Sequence, residues 1–170
     1  MRWLLQVILF TTGLLAVATG AEADGVTFER EVARLTAAEE VTIVHFWASW
    51  CSNCKAEHNE NRWRDFVTAH PEVKVVFISI WGSAEDDRAM LDQYGLTALP
   101  NFVALRHPNQ ARRREERVNR FLDLPVSWVP TTWVFRGGQL RYAINYGEVH
   151  FDMLAQMVAD STNSWSHRKK

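Results

Sequence analysis

A run of β-branched and aromatic residues, VTIVHFW at positions 41–47, leads within a few residues into Cys51-Ser52-Asn53-Cys54, and helix-compatible sequence follows at once. No other feature constrains the fold as much. An apolar run without polar alternation reads as a strand buried on both faces. Such a strand needs cover above and below, so it belongs to a sheet sandwiched between helices. The two cysteines then stand where a central strand passes into a helix.

The rest of the chain supplies the partners. Residues 27–38 carry Phe28, Val32 and Leu35 at helical spacing. Residues 55–69 read as a helix with Trp63, Phe66 and Val67 on an apolar stripe, and Pro71 lies beyond its end. Residues 73–80 (VKVVFISI) repeat the buried-strand pattern. Residues 83–94 predict an acidic-first helix, with Ser83 as N-cap and Gly95 as the stop. Residues 101–105 predict a short strand, and the highly charged 109–122 segment is helix-compatible. Residues 127–135 predict a strand with Pro130 near its start. Gly137-Gly138 signals a hairpin, residues 140–145 pair back, and a last helix begins at Asp152. Early strands joined through helices are parallel and the final pair antiparallel. The fold class is therefore α/β, a mixed sheet with helices on both faces.

Cys51 and Cys54 are the only cysteines, which excludes a disulfide-stapled scaffold and a four-thiolate zinc site. Lys55 stands where covalent haem attachment would need His. With 19 basic and 20 acidic side chains, the chain is no nucleic-acid binder acting through bulk charge. A helix start carries unpaired N–H groups and partial positive charge, and both stabilise a thiolate. The two-residue spacing lets a second sulfur resolve a mixed disulfide formed on the first. Cys51 is the expected nucleophile and Cys54 the more buried resolving thiol. An inert buried pair or half of a metal site is the competing reading.

The segment Phe46-Trp47-Ala48-Ser49-Trp50-Cys51-Ser52-Asn53-Cys54-Lys55, with Glu57 after it, resembles the active site of the thioredoxin superfamily. Within it, the resemblance is to the exported branch that includes cytochrome c maturation reductases. Trp128-Val129-Pro130-Thr131-Thr132-Trp133-Val134-Phe135 resembles that branch's cis-proline strand. The strand at 101–105 and the helix expected after it fall where the branch carries an inserted strand–helix unit. The resemblance spans residues 27–158 and implies a thioredoxin fold and thiol–disulfide exchange. It further implies a cis Val129–Pro130 bond opposite the thiols, with Trp50, Val129, Pro130 and Thr131 contacting substrate. Three departures bear on the redox potential. His45 stands where thioredoxin has a buried Asp, Asn59 where the family has a helix-kinking Pro, and Ser52-Asn53 where Gly-Pro or Pro-Pro is usual.

Other residues carry a functional reading beside a bland one. His45 could accept the proton of Cys54, or be a neutral core histidine. Glu57 could relay protons, but a solvated helix residue is the simpler expectation. His58 could complete a Cys51/Cys54/His58 copper(I) or zinc site, the basis of an alternative reading as a copper-binding chaperone. The run 112–117 (RRREER) is a solvated face or a docking site for an acidic partner.

The first 23 residues have a basic start, an apolar run from Leu4 to Ala18 and small residues at Ala21 and Ala23. This is the pattern of a cleaved secretory signal, and the run is shorter than the ~20 residues a spanning helix needs. An uncleaved anchor facing the periplasm is the alternative. Residues 24–160 would then form the domain and 161–170 a basic, frayed tail. The expectation is a periplasmic, monomeric disulfide reductase without organic cofactor or resident metal. Its substrates would be cysteine-containing exported proteins, and a redox partner protein would regenerate it. Oxidase or isomerase activity is the rival within the same chemistry.

Overall fold

The computed structural model describes residues 20–82, 84–145 and 147–163. Most of the expected signal segment, Ser83 and the end of the basic tail lie outside them. Helix α1 (Gly20–Thr36) precedes strand β1 (Thr42–Trp47), the short helix α2 (Ser52–Ala56) and helix α3 (Arg62–Ala69). Strand β2 (Lys74–Ser79), helix α4 (Ala84–Gln93) and strand β3 (Phe102–Arg106) follow. Two short strands, β4 (Arg120–Phe121) and β5 (Leu124–Pro125), form a separate hairpin. The chain then returns to the main sheet as β6 (Thr131–Arg136) and β7 (Gln139–Ile144), and helix α5 (Phe151–Thr162) completes the fold.

The five-stranded sheet has the order β3-β2-β1-β6-β7. β1, β2 and β3 run parallel, while β6 pairs antiparallel with both β1 and β7. All six residues of β1 are buried, as an unalternated apolar strand requires. On one face His45 packs against Trp63 of α3 and Phe77 of β2. On the other, Phe46 packs edge-on against Trp133 and Phe121, and Phe28 of α1 joins Phe121. Because β1 is central, its C-terminal end delivers the cysteines to the middle of the sheet's edge.

Two expectations are corrected. The helix predicted over 55–69 is broken: a single 3₁₀ turn (Asn59–Asn61) separates α2 from α3, with Glu60 at φ 57° and Asn61 at φ 61°. The reason is phase. At ~100° per residue, one uninterrupted helix would put Glu57 and His58 roughly opposite the Trp63/Phe66/Val67 stripe. All five are buried, so the chain must rotate between the two groups. Asn tolerates the left-handed conformation this takes, and a break appears without the proline expected at position 59.

The inserted unit is likewise not strand–helix. Its strand exists as β3, but residues 107–119 contain no helix, only irregular chain and one turn, before the β4–β5 hairpin. The 109–122 segment has too few apolar positions for a buried stripe, and helices in proteins depend on one. Asn109 competes for the backbone instead, accepting from the Ala111 N–H and donating to the Glu116 carbonyl.

Candidate active site

Cys51 caps the N-terminus of α2, and its Sγ accepts the Cys54 backbone N–H at 3.3 Å. That side also offers Sγ a position 3.5 Å from the Val129 carbonyl oxygen, to which the thiol donates. Val129–Pro130 is cis, as the resemblance implied. The two cysteines differ. Hydrogen bonding from Cys54 lowers the Cys51 thiol to about 7, against a desolvation that works the other way. Burial pushes the Cys54 thiol strongly up, and its hydrogen bond to Cys51 adds to this. The first sulfur is thus the more acidic and the readier nucleophile, and the second holds its proton more tightly.

Beneath the pair lies a polar cluster closed off from water. His45 Nδ1 is 2.8 Å from the Thr132 hydroxyl, its cross-strand neighbour. His45 Nε2 is 3.1 Å from Glu57 Oε2, at ion-pair distance but without hydrogen-bond alignment. The same carboxylate accepts the Trp63 indole N–H at 3.2 Å and the Val149 backbone N–H at 2.8 Å. Glu57 is therefore fully buried, contrary to the solvated residue expected. Burial alone would raise its pKa, yet His45 and these donors hold it below the usual carboxylate value. Its negative charge in turn raises both thiols. The sequence held a signal for this: Glu57 lies on the helix face of Cys54, not on a solvent face.

His58 is also buried, stacked on Tyr94 with ring centroids 4.6 Å apart and edge-on to Trp47. Desolvation lowers its pKa to about 4, so it is a neutral core group. Among the described residues no three His, Cys, Asp or Glu side chains converge to hold a metal. The Cys51/Cys54/His58 ligand set of the chaperone alternative is thus not assembled.

Of the expected substrate contacts, Trp50 is 46% exposed beside Cys51, but Thr131 is fully buried and its hydroxyl donates to the Trp128 carbonyl. The Thr131 side chain thus shapes the turn into β6, where the chain turns inward to enter the sheet. Val129 offers its carbonyl, with its side chain buried. Two aromatic residues that the sequence reading passed over complete the surface. Trp128 is 49% exposed, and Trp81 takes a left-handed backbone (φ 55°) that turns its carbonyl toward the Trp50 indole N–H. Together with Cys51, Ser52 and Arg117 they line a cleft of about 230 Å³.

A reactive thiolate, a buried second thiol one helical turn on and an adjoining cis-proline loop are the working parts of thiol–disulfide exchange. Residues 28–162 match the thioredoxin-like domain family. The chain belongs to that family. It is 34% identical over 142 residues to the sporulation thiol-disulfide oxidoreductase A of Bacillus subtilis, covering 82% of this chain and 74% of the relative. Among solved structures it is similar to a secreted disulfide oxidoreductase of Mycobacterium tuberculosis homologous to E. coli DsbE. That match has a TM-score of 0.56 and 22% identity, covering 74% of this chain and 85% of the other. A secreted thiol-disulfide isomerase of Corynebacterium glutamicum gives a TM-score of 0.54 at 19% identity, covering 74% and 72%. Both share the fold. The chain is thus a thioredoxin-like thiol–disulfide oxidoreductase, with Cys51 and Cys54 as its thiol pair.

Proposed function

We propose that this oxidoreductase works outside the cytoplasm and in the reducing direction, on disulfides of exported proteins. The exchange chemistry itself rests on the inequality of the two thiols. The Cys51 thiolate attacks one sulfur of a substrate disulfide, forming a mixed disulfide and expelling the other substrate sulfur as a thiolate that takes up a proton. Cys54 then loses its proton and attacks Cys51 Sγ. The Cys51–Cys54 disulfide forms, and the substrate leaves as a dithiol reduced by two electrons. A partner dithiol protein supplies those electrons back.

The modest stabilisation of the thiolate supports the reducing direction. A Cys51 pKa of about 7 compares with ~7 for thioredoxin and ~3.5 for the strongly oxidising periplasmic enzyme. Ser52 and Asn53 add no positive charge beside the sulfur, and buried Glu57 opposes further acidification. His45 meets the Thr132 hydroxyl through Nδ1 and lies at ion-pair distance from Glu57 through Nε2. It acts as a positioning residue, fixing the carboxylate beside the resolving thiol. Equilibration with glutathione tests the direction. A couple near the ~−270 mV of thioredoxin supports reduction, and one near ~−120 mV reverses it to an oxidase.

Export is supported by the tripartite pattern of the first 23 residues, and the Mycobacterium tuberculosis and Corynebacterium glutamicum proteins that share the fold are themselves secreted. No helix of the described residues is long and apolar enough to cross a membrane. Fractionation of cells expressing the full chain, with N-terminal sequencing of the product, checks both location and cleavage after Ala23.

A further inference from the structure

The wall of the cleft beside Cys51 is built by pairing tryptophans with arginines from the insertion between β3 and β6. The Arg112 guanidinium lies 4.7 Å from the Trp50 ring centroid, and that of Arg117 lies 4.3 Å from Trp81. Arg117 also donates to the Ser127 carbonyl, while its Nε lacks a hydrogen-bond partner. Arg114 and Arg117 continue the surface along Trp128. The backbone is organised around this arrangement. Trp81 holds a left-handed conformation, uncommon in a bulky residue. Its indole N–H is tied to the Val118 carbonyl at 3.1 Å, which fastens the insertion to the cleft.

A guanidinium held over an aromatic face can still offer N–H groups to a carboxylate. Arg112 and Arg114 are exposed, whereas Arg117 is half-buried, spends one N–H on Ser127 and supplies chiefly its charge. The segment 112–117 holds four arginines and two glutamates. One of those acids, Glu116, already faces Arg113 at 3.8 Å. Opposite Arg112 the neighbouring depression is lined by both Lys55 and Asp86. Arg117 lines the Cys51 cleft itself, and Arg112 and Arg114 line the depressions that adjoin it through Trp50 and Trp128. The surface around the cleft is therefore net positive beside the exposed Trp50 and Trp128, with Trp81 buried behind them, in a chain whose overall net charge is −1. A positive rim around an apolar floor complements a segment that is apolar at the cysteine and acidic around it.

We infer that this Trp50/Trp81/Trp128 floor with its Arg112/Arg114/Arg117 rim is a substrate-selecting cradle. It takes an extended partner segment whose disulfide-bonded cysteine adjoins an apolar or aromatic residue and is flanked by Asp or Glu. The inference rests on the reductive reading and names the substrate class for it.

The test uses the reduced protein in single turnover against three synthetic peptides. Each carries one cysteine capped with 2-mercaptoethanol beside a Phe, and they differ only in flanks of Asp/Glu, Gln or Lys. At low ionic strength the acidic peptide is expected to oxidise the thiol pair about tenfold faster than the lysine peptide. That ratio should fall toward one in 1 M salt, where the screening length is ~3 Å. In Arg112→Gln/Arg114→Gln/Arg117→Gln the ratio should fall within about twofold at any salt. Because the ratio is taken within one protein, it is independent of how much of the variant folds. The wild-type salt dependence reads the same effect without any variant. Equal rates for the three peptides, or a preference that survives the triple substitution, would overturn the cradle alone. Absence of reaction with all three and with hydroxyethyl disulfide would overturn the reductive reading and the cradle with it.

Discussion

The two sides of the thiol pair are built to opposite rules. Below Cys54, polar groups are taken out of water and given fixed partners: His45 to Thr132 and Glu57, and Glu57 to Trp63 and Val149. Above Cys51, apolar rings are left half in water, with Trp50 and Trp128 close to half exposed. Burying a carboxylate and exposing tryptophans are each unfavourable by themselves. Finding both within a few residues of the same two sulfurs divides the labour. The closed side sets the charge and proton state of the resolving thiol, and the open side meets the partner. Substitutions on the closed side should therefore change stability and the second chemical step, while those on the open side should change which substrate reacts.

The largest effect expected is on the division between the thiols themselves. Cys54→Ser should abolish turnover and leave substrates trapped on Cys51 as mixed disulfides, since only the second thiolate resolves them. Non-reducing gels of the variant after incubation with a disulfide substrate check this. Turnover by the variant at the wild-type rate would show that Cys51 acts alone.

Next comes the closed side. Glu57→Ala leaves His45, the Trp63 indole and the Val149 amide without their buried partner. Breaking a buried pair of this kind costs about 3–5 kcal/mol. Urea unfolding of the reduced protein should show a loss of that order. A change under 1 kcal/mol would mean that water reaches the cluster and that the two sides are less different than the structure makes them.

His58 sharpens the same contrast through pH. Its folded pKa is lowered from 6.5 to about 4. A base with a depressed folded pKa contributes stability above its unfolded value, and that contribution is lost as pH falls from about 6.5 toward about 4. His58→Phe keeps an aromatic ring against Tyr94 and removes the titration. The variant should lose less stability than the wild type between pH 7 and pH 4, by up to about 3 kcal/mol. Thermal unfolding across that range reads the difference, and parallel curves would exclude His58 from the acid response.

The mildest effect falls on the open side. Alkylation of the reduced protein by iodoacetamide should modify Cys51 before Cys54, and its rate should rise through an inflection near pH 7 as the thiolate forms. Peptide mapping identifies the site. Faster modification of Cys54 would exchange the roles of the two sulfurs.

Much of the frame was legible in the chain. The β1 run, the cysteine pair after it, the buried β2 run and the Gly137-Gly138 turn are local patterns, and the structure forms each where its pattern lies. The residues that went astray are those whose environment comes from elsewhere. Glu57 looks like any charged helix residue until His45, from β1, and Val149, ahead of α5, are brought to its two oxygens. The arginine run looks helical because its residues favour helices. Without an apolar stripe it turns instead, and two of its guanidinium groups come to rest on tryptophans far back in the chain.

The sequence by itself determined the α/β class, the position of the thiols at the end of a buried strand and the identity of the redox pair. These follow from side-chain periodicity and from neighbours only a few residues apart. Tertiary structure alone decided the helix break at Glu60 and Asn61, the burial of Glu57 and the charge that rims the cleft. The physical reason is that burial and pairing are properties of a place in space, and in each case that place is made by segments tens of residues apart.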